Sequence, residues 1–235
     1  MTDNLVKITW LGHSGFKIQY KDTVFLIDPW FTGNPMFPID ERNNVVEGCD
    51  FILLSHAHLD HSADSIEIAK EKDLPIVGIY DLMQFYERSQ KVKTTGFNKG
   101  GTISLGKVSI TMVSASHSSS FQIDGKPYYG GSEAGYMISA QEKTIYFSGD
   151  TDVMADMGIL NDLHSPEIGI LCCGGHFTMD MKRAAYAAEK FFNFSTIIPC
   201  HYKTFPILEQ NATFLIERLP NIKIIEPEVL TPFFV

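Results

Sequence analysis

Residues 51–61 read Phe-Ile-Leu-Leu-Ser-His-Ala-His-Leu-Asp-His, an apolar run followed at once by four potential metal ligands. The apolar residues 51–54 predict a buried strand, and the polar residues after them predict a loop. Side chains alternate faces along extended backbone, so His56 and His58 point the same way and can share one ion. Asp60 and His61 follow where the chain turns into the next helix, and their adjacency directs them away from the first pair. The spacing therefore suggests two metal ions.

The composition narrows the class of protein. The 235 residues are 44% hydrophobic, which is enough for a sizeable core. A formal net charge of −9 opposes the phosphate backbone of nucleic acids. No apolar run approaches the length of a membrane span, the first residues carry no secretion signal, and no linker separates the halves. We therefore expect one soluble, cytoplasmic domain over residues 1–235 that binds neither nucleic acid nor membrane.

Short strands and helices alternate along the chain. The patterns predict helices at residues 62–72, 81–88, 181–192 and 206–219, and strands at residues 5–10, 16–20, 24–27, 76–79, 92–95, 103–105, 108–113, 135–140, 144–147, 168–171, 196–198 and 223–225. The Gly- and Tyr-rich residues 125–135 predict a loop. Strands grouped in each half, with helices after them, favour an α/β (α+β) fold of two mixed sheets packed face to face and covered by helices.

Three further potential ligands each follow a predicted strand directly. His117 lies in a serine-rich loop, Asp150 follows Gly149, and His201 follows Cys200. Taken singly, each has a simpler explanation, such as an exposed histidine or a capping aspartate. Together with the first motif they complete five imidazoles and two carboxylates, which are the ligand types that two ions need.

These residues resemble the metallo-β-lactamase superfamily through the motif at residues 56–61, His117, Gly149-Asp150-Thr151 and His201. One branch is closer, a metal-dependent hydrolase family related to ascorbate-6-phosphate lactonase and to N-acyl-phosphatidylethanolamine phospholipase D. The segments that resemble this branch are Trp10-Leu11-Gly12-His13-Ser14, Leu26-Ile27-Asp28-Pro29, Phe177-Thr178-Met179 and residues 199–206. They cover nearly the whole chain. The resemblance implies a four-layer αββα sandwich with the metals at the shared edge of the sheets.

The resemblance also implies a division of the ligands between two metals. It assigns His56, His58 and His117 to the first metal, Asp60, His61 and His201 to the second, and Asp150 to both as a bridge. The chain departs from the family pattern before Phe177, where Gly175 and His176 replace an acidic residue and an amide. This difference falls in the expected pocket wall, so it leaves the substrate open.

Two bridged dications would also share a water. Coordination lowers the pKa of that water to about 7, and the open coordination positions polarise a carbonyl or phosphoryl oxygen. We therefore expect a hydrolase that uses a metal-bridged hydroxide on an ester, lactone or phosphodiester bond of a small substrate. Asp60 is the candidate to orient the hydroxide and to carry a proton to the leaving group. Zinc is the default metal, with manganese and iron as alternatives.

Three other polar residues are candidates for hydrogen bonds to a metal ligand or to the substrate: His13, Asp28 and His176. A purely structural role for either histidine stays open. Two other functions are compatible with the fold, a di-iron redox protein and a non-catalytic metal-binding regulatory protein. A di-iron centre would be expected to carry a carboxylate at His58, and a protein without turnover would have no reason to keep seven costly polar groups. The resemblance is compatible with a homo-oligomer of unspecified size.

Overall fold

The computed structural model describes residues 5–141 and 143–235. Helices α1 to α7 are Arg42–Val46, Leu59–Ser62, Ser65–Lys72, Tyr80–Phe85, Asp156–His164, Met181–Phe191 and Thr213–Arg218, and a π-helical turn, Tyr86–Gln90, continues α4. Strands β1 to β16 are Lys7–Trp10, Phe16–Tyr20, Thr23–Ile27, Phe51–Leu53, Ile76–Ile79, Thr94–Phe97, Thr102–Leu105, Val108–Ser114, Ser120–Ile123, Lys126–Tyr129, Ala134–Ala140, Lys143–Phe147, Ile168–Cys172, Thr196–Cys200, Lys223–Ile224 and Pro232–Phe234.

Over the described residues, the strands form two seven-stranded sheets and one separate hairpin, β9–β10. The first sheet has the order β16-β1-β2-β3-β4-β5-β6, and the second has the order β15-β14-β13-β12-β11-β8-β7. Pairing is parallel from β3 to β6 and from β12 to β15. Each sheet therefore brings several carboxyl ends of strands to one edge, where loops can place functional groups.

The two sheets pack face to face through large apolar side chains. Phe16 of β2 meets Phe147 of β12 with ring centroids 6.3 Å apart. The buried hydroxyl of Tyr136 on β11 donates a hydrogen bond to the carbonyl of Leu54, at 2.6 Å. Each such side chain contributes about 1.5–3 kcal/mol by leaving water. The inner faces of both sheets thus form one continuous core.

Helices cover the outer faces. Helices α3 and α4 contact β5, while α7 contacts β15 and α6 contacts both α5 and α7. Helix α6 begins where the carboxylate of Asp180 accepts the backbone N–H of Arg183, at 2.7 Å. Its alanines, among them Ala184 and Ala188, are buried against the core. The four layers confirm the predicted αββα sandwich, and the extent of the domain over residues 1–235 stays a prediction.

The predicted loop at residues 125–135 is partly wrong. Ser120–Ile123 and Lys126–Tyr129 pair as an antiparallel hairpin. Asp124 and Gly125 connect the strands with φ of 50° and 73°. An Asp-Gly pair with positive φ is the turn that joins two strands through a two-residue loop, so this dipeptide was the signal for the hairpin.

Two predicted helices are also shorter than the pattern suggested. The helix predicted at residues 206–219 is present only as Thr213–Arg218, because the backbone before it pairs elsewhere. The N–H of Glu209 donates to the carbonyl of Gly174, and its carbonyl accepts from Lys203, at 2.9 and 2.8 Å. The helix predicted at residues 62–72 begins at Ser65, preceded by the separate turn α2. Helices α1 and α5 and strand β16 had no prediction.

Among residues 5–141 and 143–235, no helix has the length and apolar character needed to cross a bilayer.

Gly149, between β12 and Asp150, provides a test of the local packing. Its φ is 58°, and a Cβ there would overlap the carbonyl oxygen of Ala134. Gly149→Ala should therefore lower the free energy of unfolding by about 3 kcal/mol, from left-handed strain plus overlap. Gly48→Ala is the matched control, because Gly48 has φ of 70° but nothing within 4 Å, so strain alone should cost about 1 kcal/mol. Urea unfolding measures both, and equal losses would contradict the assigned overlap.

Candidate metal centre

Four strands end at the edge where the two sheets meet. The loop after β4 carries His56 and His58, while His117 follows β8, Asp150 follows β12 and His201 follows β14. Strand β8 is antiparallel to β11, which is antiparallel to β12, so β8 and β12 end at the same side. The topology therefore brings together residues that are far apart in sequence.

Three imidazoles form the first half of the cluster. One ring nitrogen from each of His56, His58 and His117 lies within 4.8 Å of the other two. Nε2 of His56 is 3.0 Å from Nδ1 of His58, so the neighbouring rings present different nitrogens. Both side chains face one point, as alternation along extended backbone requires.

Asp60, His61 and His201 form the second half. Oδ2 of Asp60 lies 3.9 Å from Nε2 of His61 and 3.8 Å from Nε2 of His201. Asp60 and His61 are adjacent in the short helix α2, and His201 arrives from the other sheet. The backbone N–H of His201 donates to the carbonyl of His13, at 2.9 Å, which ties the two sheets together beside the cluster.

The carboxylate of Asp150 lies between the two halves. Its Oδ2 is close to the Nε2 atoms of four histidines: 3.1 Å from His201, 3.3 Å from His61, 3.6 Å from His117 and 3.9 Å from His56. The residue is only 2% exposed. Rings from both halves of the cluster thus surround one carboxylate oxygen, and a bridging role for Asp150 stays a prediction.

Asp28 and Ser55 fix the orientation of two rings. Asp28 is fully buried and accepts hydrogen bonds from the N–H and hydroxyl of Ser55 at 2.7 and 2.5 Å and from Nδ1 of His61 at 2.8 Å. Because the Ser55 hydroxyl donates to Asp28, its oxygen accepts from Nδ1 of His56, at 2.9 Å. Both rings therefore turn Nε2 towards Asp150, and Nε2 is the nitrogen that would bind a metal ion after losing any proton it carries.

His13 is part of the second half. Its Nε2 is 3.0 Å from Oδ2 of Asp60, and its Nδ1 is 2.8 Å from the hydroxyl of Thr204. Burial, together with the neighbouring His201, lowers the pKa of His13 to about 4, so the ring is neutral. One tautomer satisfies both contacts: the Thr204 hydroxyl donates to Nδ1, and the Nε2 N–H donates to Asp60. The ring thus holds the carboxylate in place.

The charges around the cluster favour a cation. Burial opposes ionisation of Asp150, but His201 and His61 outweigh it and hold the pKa of Asp150 well below its ordinary value. Burial likewise opposes a charge on His61, yet the carboxylates of Asp150, Asp60 and Asp28 raise the pKa of His61 well above its ordinary value. These three carboxylates therefore stabilise positive charge at this site.

The donor atoms fit metal ions. Nε2 of His61 and Oδ1 of Asp150 are buried without a hydrogen-bond partner among the described residues. Buried polar atoms in proteins almost always have a partner, so these two atoms call for one. Imidazole nitrogens and carboxylate oxygens are ligands that zinc, manganese and iron accept. The residues present therefore match the ligand types and the two-part arrangement that the sequence suggested.

The cluster opens onto a cavity of about 480 Å³, the metal-centre cavity, whose walls include Trp30, Phe177 and Phe205. Its polar lining includes Asp60 and Asp150. His176 is exposed and packs on Phe177, with ring centroids 4.5 Å apart, instead of joining the cluster. A role for His176 stays a prediction.

Sequence reasoning gave no role to Ser55 or Thr204, although each contacts a candidate residue. The only sequence signal for Ser55 was its position directly before His56. The only signal for Thr204 was its position within residues 199–206. A hydroxyl in a loop has too many other uses for either position to predict the contact.

The fold and the cluster define a class of protein. A family model described as "Beta-lactamase superfamily domain" matches residues 23–222. The chain belongs to this superfamily, and within it to the family of the UPF0173 metal-dependent hydrolases. The resemblance drawn from the sequence is thereby confirmed.

The similarity extends over the full length of known relatives. The UPF0173 metal-dependent hydrolase of Dinoroseobacter shibae is 58% identical over 225 residues, which are 96% of this chain and 98% of that protein. Igni18, a metallo hydrolase of the hyperthermophilic archaeon Ignicoccus hospitalis, has a TM-score of 0.84 at 29% identity and 98% coverage of both chains. An isothiocyanate hydrolase from Delia radicum gut bacteria has a TM-score of 0.74 at 19% identity, over 97% of this chain and 98% of that one. At this level of identity the similarity shows the fold alone.

Asp28 provides a test of the ring orientations. Asp28→Asn replaces one carboxylate oxygen with an NH2 group. If the remaining oxygen keeps the N–H of Ser55, Nδ1 of His61 faces a donor instead of an acceptor, and loss of such a partner typically weakens metal affinity about 10–100-fold. Titration with a competing chelator measures this change.

The matched control is Asp64→Asn. Asp64 is equally buried but accepts the N–H of Phe31, at 2.7 Å, and contacts no candidate ligand. It should lose stability and keep its metal affinity. An equal fall in affinity for both variants would contradict the orienting role of Asp28.

Proposed function

We propose that this metal-dependent hydrolase holds two divalent ions and cleaves an ester, lactone or phosphodiester bond of a small substrate. Zinc is the default metal, with manganese and iron as alternatives. The position of the Asp150 carboxylate carries the proposal, because one buried oxygen lies within 3.9 Å of four imidazole nitrogens. A single ion would leave part of this donor set without a partner.

The chain supplies two sets of ligands on either side of Asp150. His56, His58 and His117 would hold one ion, and Asp60, His61 and His201 would hold the other. When bound, two such ions would lower the pKa of a water to near neutral and would polarise the oxygen of the bond to be cleaved. The imidazole at position 58, where a di-iron redox protein would be expected to carry a carboxylate, supports hydrolysis over redox chemistry.

Asp60 is the candidate for proton transfer. Its side chain is 33% exposed and lines the metal-centre cavity, unlike the buried Asp150. Burial opposes ionisation of Asp60, but His61 and His13 outweigh it and hold the pKa of Asp60 below its ordinary value. The group is therefore a carboxylate when the substrate arrives. It accepts a proton from the attacking oxygen and returns it to the leaving atom, while His13 keeps Oδ2 in position.

The walls of the metal-centre cavity support a small substrate. Its volume of about 480 Å³ lies within the range of pockets that enclose small molecules. Phe177 and Phe205 offer apolar surface, and no Lys or Arg stands among the described residues that line the cavity. A polyanionic polymer would find no countercharge there apart from the metals.

A turnover assay with an Asp60 variant tests this function. Metal-loaded protein should hydrolyse at least one of p-nitrophenyl acetate, a simple lactone and bis-p-nitrophenyl phosphate, should lose activity with a chelator and should regain it with zinc or manganese. Asp60→Asn should lower kcat about 100-fold or more, because an amide cannot carry the proton. Asp162→Asn, on the exposed face of α5, is the matched control and should be unaffected. Full activity in Asp60→Asn would remove Asp60 from the mechanism, and activity that survives chelation would contradict the proposed function.

A further inference from the structure

A second cavity adjoins the metal centre. Its volume is about 560 Å³, and it lies between helices α2 and α3, the π-helical turn after α4, and the hairpin β9–β10. We call it the side pocket. Its apolar walls include Ala63, Ile66, Phe85, Tyr86, Phe121 and Ile123. None of these residues belongs to the metal cluster.

The side pocket and the metal-centre cavity share part of their lining. His58, Leu59 and Asp60 line both spaces. Leu59 is 75% exposed, so its side chain stands in the open between them. A molecule whose reactive bond lies at Asp60 can therefore extend across Leu59 into the side pocket.

Hydrogen bonds join the hairpin β9–β10, which forms one wall of the side pocket, to the loop that carries His56 and His58. The backbone N–H of Ala57 donates to the hydroxyl of Ser119, at 3.2 Å, and the N–H of Gly130 donates to the carbonyl of Ser119, at 3.0 Å. These bonds hold the base of the hairpin beside His56 and His58. Further out, Phe121 stacks on Phe85 with ring centroids 4.6 Å apart. The two aromatic side chains close one side of the pocket.

The chemistry of the walls selects a neutral, apolar guest. Ile66, Phe85 and Phe121 are each partly exposed, so apolar surface that faces the pocket is left to water. No Lys or Arg stands among the described residues that line the side pocket, and the carboxylate of Asp60 lies at its entrance. A negatively charged group would be repelled there, whereas an aliphatic or aromatic group would cover the exposed surface.

We infer that the side pocket binds the apolar arm of the substrate, and that the substrate is a carboxylic ester or lactone with a neutral aliphatic or aromatic arm. The inference rests on the proposed hydrolytic function and narrows it. The arm binds over Leu59 against Ile66 and Phe121, while the ester carbonyl lies at the metal centre. Binding of the arm contributes affinity and positions the bond that is cleaved.

A series of esters with increasing acyl chain length tests whether the side pocket binds an apolar arm. With the metal-loaded protein, kcat/KM for p-nitrophenyl acetate, butyrate, hexanoate and octanoate should rise by up to roughly fourfold per added methylene. The p-nitrophenyl monoester of suberic acid, which carries a carboxylate at the end of a similar chain, should lose most of that gain. A flat series, or equal rates for the octanoate and the suberate, would overturn the inference and leave the hydrolytic function standing.

The Ala63→Phe variant tests whether the apolar arm binds in the side pocket. Ala63 is exposed at the end of α2, so the larger side chain fills the pocket without displacing core atoms. The ratio of octanoate to acetate kcat/KM should fall at least tenfold in this variant. Ala155→Phe places the same side chain at an exposed alanine before α5, outside both cavities, and should keep the wild-type ratio. An unchanged ratio in Ala63→Phe would show that the arm binds elsewhere.

A binding measurement without turnover separates the two proposals. Nile red, a neutral apolar dye, should bind the wild-type protein and Ala155→Phe with enhanced fluorescence, and Ala63→Phe at least tenfold more weakly. If no ester or lactone is hydrolysed, the proposed bond class fails. In that case the dye-binding measurement alone tests the side pocket. Weaker binding by Ala63→Phe only would support an apolar binding site there, and equal binding by all three proteins would overturn it.

Discussion

A buried carboxylate among imidazoles is the constraint on which this structure depends. Asp150 is 2% exposed, and four histidine rings each place a nitrogen within 3.9 Å of its Oδ2. An ionised carboxylate in such surroundings is costly unless positive charge accompanies it. Several features place it there: the parallel strands of the second sheet, the glycine before it, and the loops that carry the rings from the first sheet.

Three residues of the cluster and its surroundings have a strained backbone. His13, Asp28 and His201 have φ of 53°, 46° and 56°, a region that residues other than glycine rarely adopt. Each costs of order 1 kcal/mol or more, and surrounding contacts must hold it. Asp28 is held by Ser55, while His201 and His13 are joined through a backbone hydrogen bond. A Cβ on Gly174 would overlap the carbonyl oxygen of His201, so the neighbouring loop packs closely against this strained position. At these three positions the backbone conformation helps to set the direction of a side chain that contacts the cluster.

The sequence predicted the two sheets and the convergence of the seven candidate ligands, because chemically distinctive residues stand at the ends of strongly apolar strands. Asp28 was also placed near the site by this logic. Ser55 and Thr204 escaped prediction, since a hydroxyl in a loop has no distinctive pattern. The hairpin at residues 120–129 was missed because the Asp124-Gly125 turn was read as part of a loop. The side pocket could not have been predicted, because it joins α2 and α3, the turn after α4 and this hairpin, which only the tertiary structure brings together.

The metal content of the protein tests the central claim most directly. Elemental analysis of protein purified without added metal and then dialysed against zinc should give about two ions per chain. His58→Ala, which removes one ligand from the first half of the cluster, should retain about one ion. One ion or none in the wild-type protein under saturating zinc or manganese would contradict the two-ion assignment and the bridging position of Asp150.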